Sequence, residues 1–203
     1  MLRVVLLAFV ILTVSGHAAE DATPRFSLDL LRAQAQKVDH LRIPFRQIKD
    51  LEMFNEPVVI PGVMEISRPL ACVRWEFQGR SVLVLRNGRL HRWGADGTKE
   101  HVHAGPAAVA MAGQMSAMLS GDWRELETLF NVRPDPSGAP KVVLTPRDEE
   151  MARHVSQIRL VFGDDLSAPR ELSIEAPSGD TTRYEFDAPE RPADLAAARF
   201  AGP

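Results

Sequence analysis

The sequence predicts a mainly β protein (α+β), built on an antiparallel and strongly curved sheet, a barrel or half-barrel, of about eleven short strands. Apolar and polar residues alternate in short runs along most of the chain, as they do in half-buried strands. Turn-forming pairs such as Asn87-Gly88 and Asp96-Gly97 separate several of these runs. Only two stretches have helical spacing, so the regular strand–helix alternation of a parallel sheet is missing.

The predicted strands follow one another along the chain with short connections. They cover residues 45–50, 58–67, 72–77, 81–86, 89–93, 99–103, 125–133, 141–145, 155–162, 170–176 and 181–187. Asn87-Gly88 is the strongest hairpin signal among the connections, because a type I′ turn needs positive φ at both of its central residues. We therefore expect neighbours in sequence to be neighbours in the sheet.

The first helical stretch covers residues 26–38. Its apolar residues recur three or four positions apart, and Ser27 is a suitable N-cap before Asp29. The apolar face consists of Leu28, Leu31, Ala35 and Val38.

The second helical stretch covers residues 107–119 and is rich in Ala and Met. Met111, Met115 and Met118 share one face of this helix. Gly113 weakens the helix by roughly 1 kcal/mol relative to Ala. We expect the two helices to cover one mouth or one face of the curved sheet.

The N-terminus predicts export. Arg3 precedes an apolar run over residues 4–14, which is too short for a bilayer that needs about 20 residues. Gly16 and Ala18 then provide the small side chains of a signal-peptidase site. We predict a signal peptide over residues 1–18, cleaved after Ala18, and a single exported domain over residues 19–203 in the periplasm.

Charge and cysteine content exclude several classes of protein. The formal net charge is −3, with both signs mixed along the chain, which argues against nucleic-acid binding. Cys72 is the only cysteine, so the chain forms no internal disulfide. Neither a histidine nor an electropositive cluster adjoins Cys72 in sequence, which favours an inert thiol.

Catalytic and metal-binding patterns are weak. His101 and His103 would share one face of a strand, but a catalytic zinc site needs a third ligand. Two acidic groups could supply paired catalytic carboxylates: Asp148, Glu149 and Glu150, and Asp164 with Asp165. Both are expected in loops, where solvated charges are the simplest interpretation. No nucleophile elbow is present. We expect no cofactor and no enzymatic activity; a hydrolase using His101 or His103 is the less favoured alternative.

The methionine-bearing helix permits two interpretations. It either completes the core or lines a surface that receives cargo of variable shape, since Met is flexible and polarizable. An acyl chain gains roughly 0.8 kcal/mol for each CH₂ that it buries, so a lipid site needs no catalytic motif.

Several segments occur in an order that is informative in combination. "IPFRQIKD", with Phe45 and Gln47, follows the first helix, and "GVMEISRPLACVRWEF" and "SVLVLRNGRLHRW" come next. "AMAGQMSAMLSGDW", "KVVLTPRD" and "RPADLAAARF" complete the series. In this order, over residues 26–200, the chain resembles the LolA-type periplasmic carriers of outer-membrane lipoproteins.

The resemblance implies an incomplete antiparallel barrel with helices as a lid over a hydrophobic cavity. In that family the cavity takes the acyl chains of a lipoprotein from an inner-membrane transporter and passes them to an outer-membrane receptor. Arg68 matches the arginine before proline that bonds to the lid helix and keeps the cavity closed. The implied protein is a monomer without a cofactor, and its cargo is an acylated lipoprotein or lipid.

Strand alternation and the Met face select the candidate cavity lining. Aromatic residues make up only 6% of the chain, so Met and aliphatic side chains are expected to do more of the lining. A lipoprotein- or lipid-sensing module, or a partner-binding module, on the same fold is the alternative to a carrier. The candidate lining residues are Trp75, Phe77, Val84, Met111, Met115 and Met118.

Overall fold

A computed structural model of the protein describes residues 26–102, 106–136 and 139–203. The predicted signal peptide and His103 lie outside the described residues. Strand and helix numbers follow chain order.

Within the described residues, eleven antiparallel strands form one sheet, which confirms the predicted fold class. The spatial order is β6-β5-β4-β3-β2-β1-β11-β10-β9-β8-β7, so β6 and β7 are the two edges of the described sheet and do not pair with each other. The sheet is therefore an incomplete barrel, with nearly every strand beside its neighbour in sequence. The strands are β1 His40–Asp50, β2 Val58–Ser67, β3 Cys72–Phe77, β4 Ser81–Arg86, β5 Arg89–Gly94, β6 Lys99–Glu100, β7 Phe130–Pro134, β8 Lys141–Pro146, β9 Gln157–Phe162, β10 Pro169–Glu175 and β11 Thr181–Phe186.

In the described part of the chain, three α-helices accompany the sheet: α1 Leu28–Ala35, α2 Pro106–Ser120 and α3 Glu149–Ala152. Ser27 caps α1 as predicted, because its side chain accepts a hydrogen bond from the Leu30 amide. Helix α2 lies in the chain between β6 and β7, the two edge strands. It thus crosses from one open edge of the sheet to the other.

The predicted strand over residues 125–133 is wrong in its first half. Residues Trp123–Thr128 form a 3₁₀-helix, which is capped by Asp122 through the Arg124 amide. Trp123 and Leu126 are both buried, and a spacing of three suits a 3₁₀ turn rather than a strand. A second 3₁₀-helix, Ala197–Phe200, was not predicted. Helix α3 was not predicted either: Glu149 and Glu150, which were expected in a loop, form its first turn, and Asp148 caps it. The remaining differences are boundaries: β1 starts at His40, and β6 has only two residues.

The two faces of the sheet bury different apolar clusters. The inner face holds the main core, in which Trp75 and Met64 pack with Met115 of α2. The outer face of β3–β5 carries a second cluster, completed by Leu195 and Phe200 near the C-terminus. The remaining members of this outer cluster are Cys72, Val82, Val84 and Trp93.

Candidate functional site

Five aromatic side chains meet on the inner face of the sheet. The ring centroids of contacting pairs lie between 5.1 and 6.5 Å apart, and Trp75 touches all the others. They come from β1, β3 and β11. Neither the composition nor the local sequence pattern indicates that these strands bring their aromatic side chains together. Aromatic side chains therefore form more of this interior than we expected from an aromatic content of 6%. The aromatic group consists of Phe45, Trp75, Phe77, Tyr184 and Phe186.

Gly62 makes room for this group. It pairs with Phe45 across β1 and β2, and the Phe45 ring lies directly over its Cα. A Cβ at this position would collide with the ring and with the carbonyl oxygen of Glu76. A side chain is therefore excluded where the ring needs the space.

Helix α2 closes the interior from the other side. Met115 and Met118 are buried in the main core, and Met111 is half-buried against it. Gly113 lies on a different face of α2, where a Cβ would come 3.0 Å from Leu126 of the 3₁₀-helix. Its small size therefore allows close packing of these two helices.

Arg68 joins both helices to the turn between β2 and β3. Its guanidinium donates one hydrogen bond to the carbonyl oxygen of Val38, just after α1. A second and weaker bond, at 3.5 Å, goes to the carbonyl oxygen of Met118 near the end of α2. Burial lowers the pKa of Arg68, and the nearby Asp39 carboxylate opposes that effect. The side chain thus reaches from the end of a strand to the ends of two helices.

The predicted lining residues separate into two groups. Trp75, Phe77, Met115 and Met118 lie in the main core, with Met111 packed against it. Val84 does not lie with them. It belongs to the outer cluster, so the prediction that it lines the cavity was wrong. Trp75 pairs with Leu83, and residues opposite each other share a face, so Leu83 points inward and Val84 outward.

The interior is closely packed. Trp75 and Met115 each have a relative accessibility of 0%. A cavity of about 20 Å³ lies between Leu31, Met118 and Trp123, which is room for about one water molecule. This state of the protein is closed, with α2 seated on the sheet.

The described residues offer neither a grouped metal site nor a membrane-spanning helix. Among residues 26–102, 106–136 and 139–203, no three His, Cys, Asp or Glu side chains are grouped to hold a metal ion. Burial raises the pKa of the Cys72 thiol, which disfavours the reactive thiolate. No helix in the described part of the chain is long and apolar enough to cross a membrane.

Comparison with known families gives one match over most of the chain. The family described as "Outer membrane lipoprotein carrier protein LolA" matches residues 36–202. The match therefore includes the whole sheet, α2, and the outer cluster with its C-terminal segment. A search of curated proteins finds no match.

Solved structures resemble this chain at low sequence identity, and one of them has a TM-score above 0.5. An uncharacterized conserved protein from Thermus thermophilus is 9% identical, with a TM-score of 0.51 over 87% of this chain and 93% of that chain. A LolA superfamily protein from Nitrosomonas europaea is 7% identical, with a TM-score of 0.44 over 86% and 97%. The matched chain in the MucA/MucB complex of Pseudomonas aeruginosa is 16% identical, with a TM-score of 0.40 over 85% of this chain and 59% of that chain. This chain thus spans 59% of the MucA/MucB chain that it matches.

Proposed function

Because the chain belongs to the LolA family of outer-membrane lipoprotein carriers, we propose that it is itself a periplasmic carrier of acylated cargo. The acyl chains of a lipoprotein, or of a related lipid, bind between α2 and the inner face of the sheet. The protein then moves them from the inner to the outer membrane. It works without a cofactor and without catalysis.

The packing of α2 on an apolar inner face is the observation that carries this proposal. Apart from Gln114, the buried residues that the structure describes in α2 are apolar, with Met115 and Met118 at the centre. An acyl chain that replaces α2 against the sheet gains roughly 0.8 kcal/mol per buried CH₂. Methionine side chains adapt to cargo of different shapes, so one interior can accept chains of several lengths.

Arg68 supplies the latch in this proposal. It ties the α2 carbonyl of Met118 to the β2–β3 turn, while its bond to Val38 holds α1 in place. A hydrogen bond to a charged donor contributes about 1.5–3 kcal/mol, and one at 3.5 Å contributes less. The latch is therefore strong enough to favour the closed state and weak enough for cargo to displace α2.

The proposed donor is an inner-membrane transporter, and the proposed acceptor is an outer-membrane receptor. We propose that the carrier itself is a monomer, since a closed α2 leaves the main apolar face of the sheet buried within one chain. Lifting α2 exposes that face only while a donor, a cargo or an acceptor is present to cover it.

Native mass spectrometry tests the proposal directly. The protein is isolated from periplasm without detergent, weighed intact, and then extracted with organic solvent. We expect a co-purifying acylated species that is released on denaturation. A bare mass in every preparation, together with no uptake of added lipid, would favour a partner-binding module over a carrier.

A further inference from the structure

The interior contains a buried hydrogen-bond donor without a partner. Trp75 on β3 has a relative accessibility of 0%, and its indole Nε1 has no hydrogen-bond partner among the described residues. The rings around it offer only weak π-acceptors, apart from the hydroxyl of Tyr184. That hydroxyl already accepts a hydrogen bond from Gln47 at 2.6 Å.

A second such donor lies on α2. Gln114 is 4% exposed, and its side-chain Nε2 also lacks a partner in the described part of the chain. Gln114 follows Met111 by three residues and precedes Met118 by four, so it lies on the face of α2 that carries the methionines. An amide has thus been placed in the middle of an otherwise apolar helix face.

Buried polar side-chain atoms without a partner are uncommon in folded proteins, and the described residues contain four others: His40 Nδ1, Arg68 Nε, Arg74 Nε and Ser173 Oγ. Roughly nine in ten buried polar groups or more are paired, and each one left unpaired costs the free energy of its lost hydration. The same interior shows the usual arrangement at Gln47, whose buried Nε2 donates a hydrogen bond to the Tyr184 hydroxyl. Replacing Gln114 by an apolar residue would remove this cost, and no described residue of the closed state pairs with the amide Nε2.

We propose that Trp75 Nε1 and Gln114 Nε2 bind carbonyl oxygens of the cargo, namely those of the ester groups that join acyl chains to a glycerol unit. This inference rests on the proposed function and names its ligand as an acyl ester lipid. The acyl chains bind to the apolar surface. The two donors determine how deep in the interior the ester ends of the chains lie. Cargo binding also removes the cost that the unpaired donors impose on the closed state.

Two glycerides that differ only at the carbonyls test this inference. Dioctanoylglycerol carries two ester carbonyls, whereas 1,2-di-O-octylglycerol has the same chains joined through ethers. Titration calorimetry on the purified protein gives the dissociation constant of each. Wild type is expected to bind the ester about tenfold more tightly than the ether. One or two hydrogen bonds from buried donors that otherwise lack a partner produce an effect of this size.

Variants assign the preference to the two donors. Gln114→Met and Trp75→Phe should each reduce the ester-to-ether ratio, and the double variant should bring it close to one. Gln157→Met makes the same chemical change at a half-buried amide on β9 that already accepts a hydrogen bond from Arg159, and it should leave the roughly tenfold ratio in place. Circular dichroism checks that each variant is folded.

The possible outcomes separate the inference from the function on which it rests. Equal binding of ester and ether by wild type overturns the inference and leaves the carrier proposal intact. An unchanged ratio in the double variant overturns it as well. If neither glyceride binds, the proposed function fails, and the inference falls with it.

Discussion

Arg199 binds both carboxylate oxygens of Glu65, at 2.9 Å from its Nε to each. Glu65 lies on the outer face of β2 and has a relative accessibility of 0%, while Arg199 belongs to the C-terminal 3₁₀-helix. The next residue, Phe200, is buried in the outer cluster. One ion pair and one aromatic ring thus hold the C-terminal segment on the outside of the sheet, away from the interior proposed to bind cargo.

Removing this ion pair should destabilise the protein. Arg199→Ala leaves a buried carboxylate with only the more distant Arg42 and Arg74, at 3.7 and 3.9 Å. We expect the free energy of unfolding in urea to fall by about 2 kcal/mol. Arg46→Ala is the control, because it breaks an exposed pair with Glu185 that contributes at most about 1 kcal/mol. Equal losses in the two variants would contradict this role for Arg199.

Arg68→Leu should leave folding near normal and change the handling of cargo. Without the hydrogen bonds to Val38 and Met118, the closed state is weaker, so the balance between loading and release shifts. Transfer of a fluorescent acylated peptide into and out of the protein measures both steps. Arg80→Leu, on an exposed turn between β3 and β4, is the matched control and should behave as wild type. The latch proposal is abandoned if loading and release of Arg68→Leu both equal those of wild type.

Stability should decrease at alkaline pH because of Tyr184. Burial raises the pKa of Tyr184 to about 12, and its hydrogen bond with Gln47 opposes the shift. Its ordinary pKa is 10.0, so between pH 10 and 12 the unfolded chain loses the proton while the folded protein keeps it. The contribution of the neutral phenol to the free energy of unfolding is therefore fully present below pH 10. It is lost as the pH rises from 10 to 12, and the total loss is about 3 kcal/mol.

Urea unfolding at about pH 9 and about pH 12 measures this loss. Tyr184→Phe has no phenol to ionise, so its own decrease over the same range should be smaller by about 3 kcal/mol. An identical pH dependence in the two proteins would show that Tyr184 is not the group responsible.

Gly62→Ala should destabilise the aromatic interior. The new methyl group would collide with the Phe45 ring and with the backbone carbonyl of Glu76, and the backbone cannot move aside without breaking the β2–β3 pairing. We expect a loss of about 2 kcal/mol in the free energy of unfolding, as in other overpacked cores. Gly163→Ala is the control: its Cβ would meet Arg170 at 3.5 Å, an ordinary contact. A loss no larger than that of the control would rule out this role for Gly62.

Local sequence was sufficient for much of this fold. Alternating apolar residues predicted ten of the eleven strands at nearly the right places, and Asn87-Gly88 correctly joined β4 to β5. Asn87 has a φ of 51° and Gly88 of 69°, as a type I′ turn requires. The helical spacing of Met111, Met115 and Met118 correctly indicated one apolar face. These features depend on residues at most a few positions apart, so the sequence contains them directly.

Only the tertiary structure decided which residues meet and which face is inside. In β4, both Val82 and Val84 on one face and Leu83 and Leu85 on the other are apolar, so alternation cannot choose between them. Pairing of β1 with β11 brings Phe186 beside Phe45 across more than half of the chain. The burial of Gln114 likewise follows from where α2 is seated, not from its own pattern. Period-two alternation separates the two faces of a strand, but the packing of the curved sheet against α2 determines which of the two faces is buried.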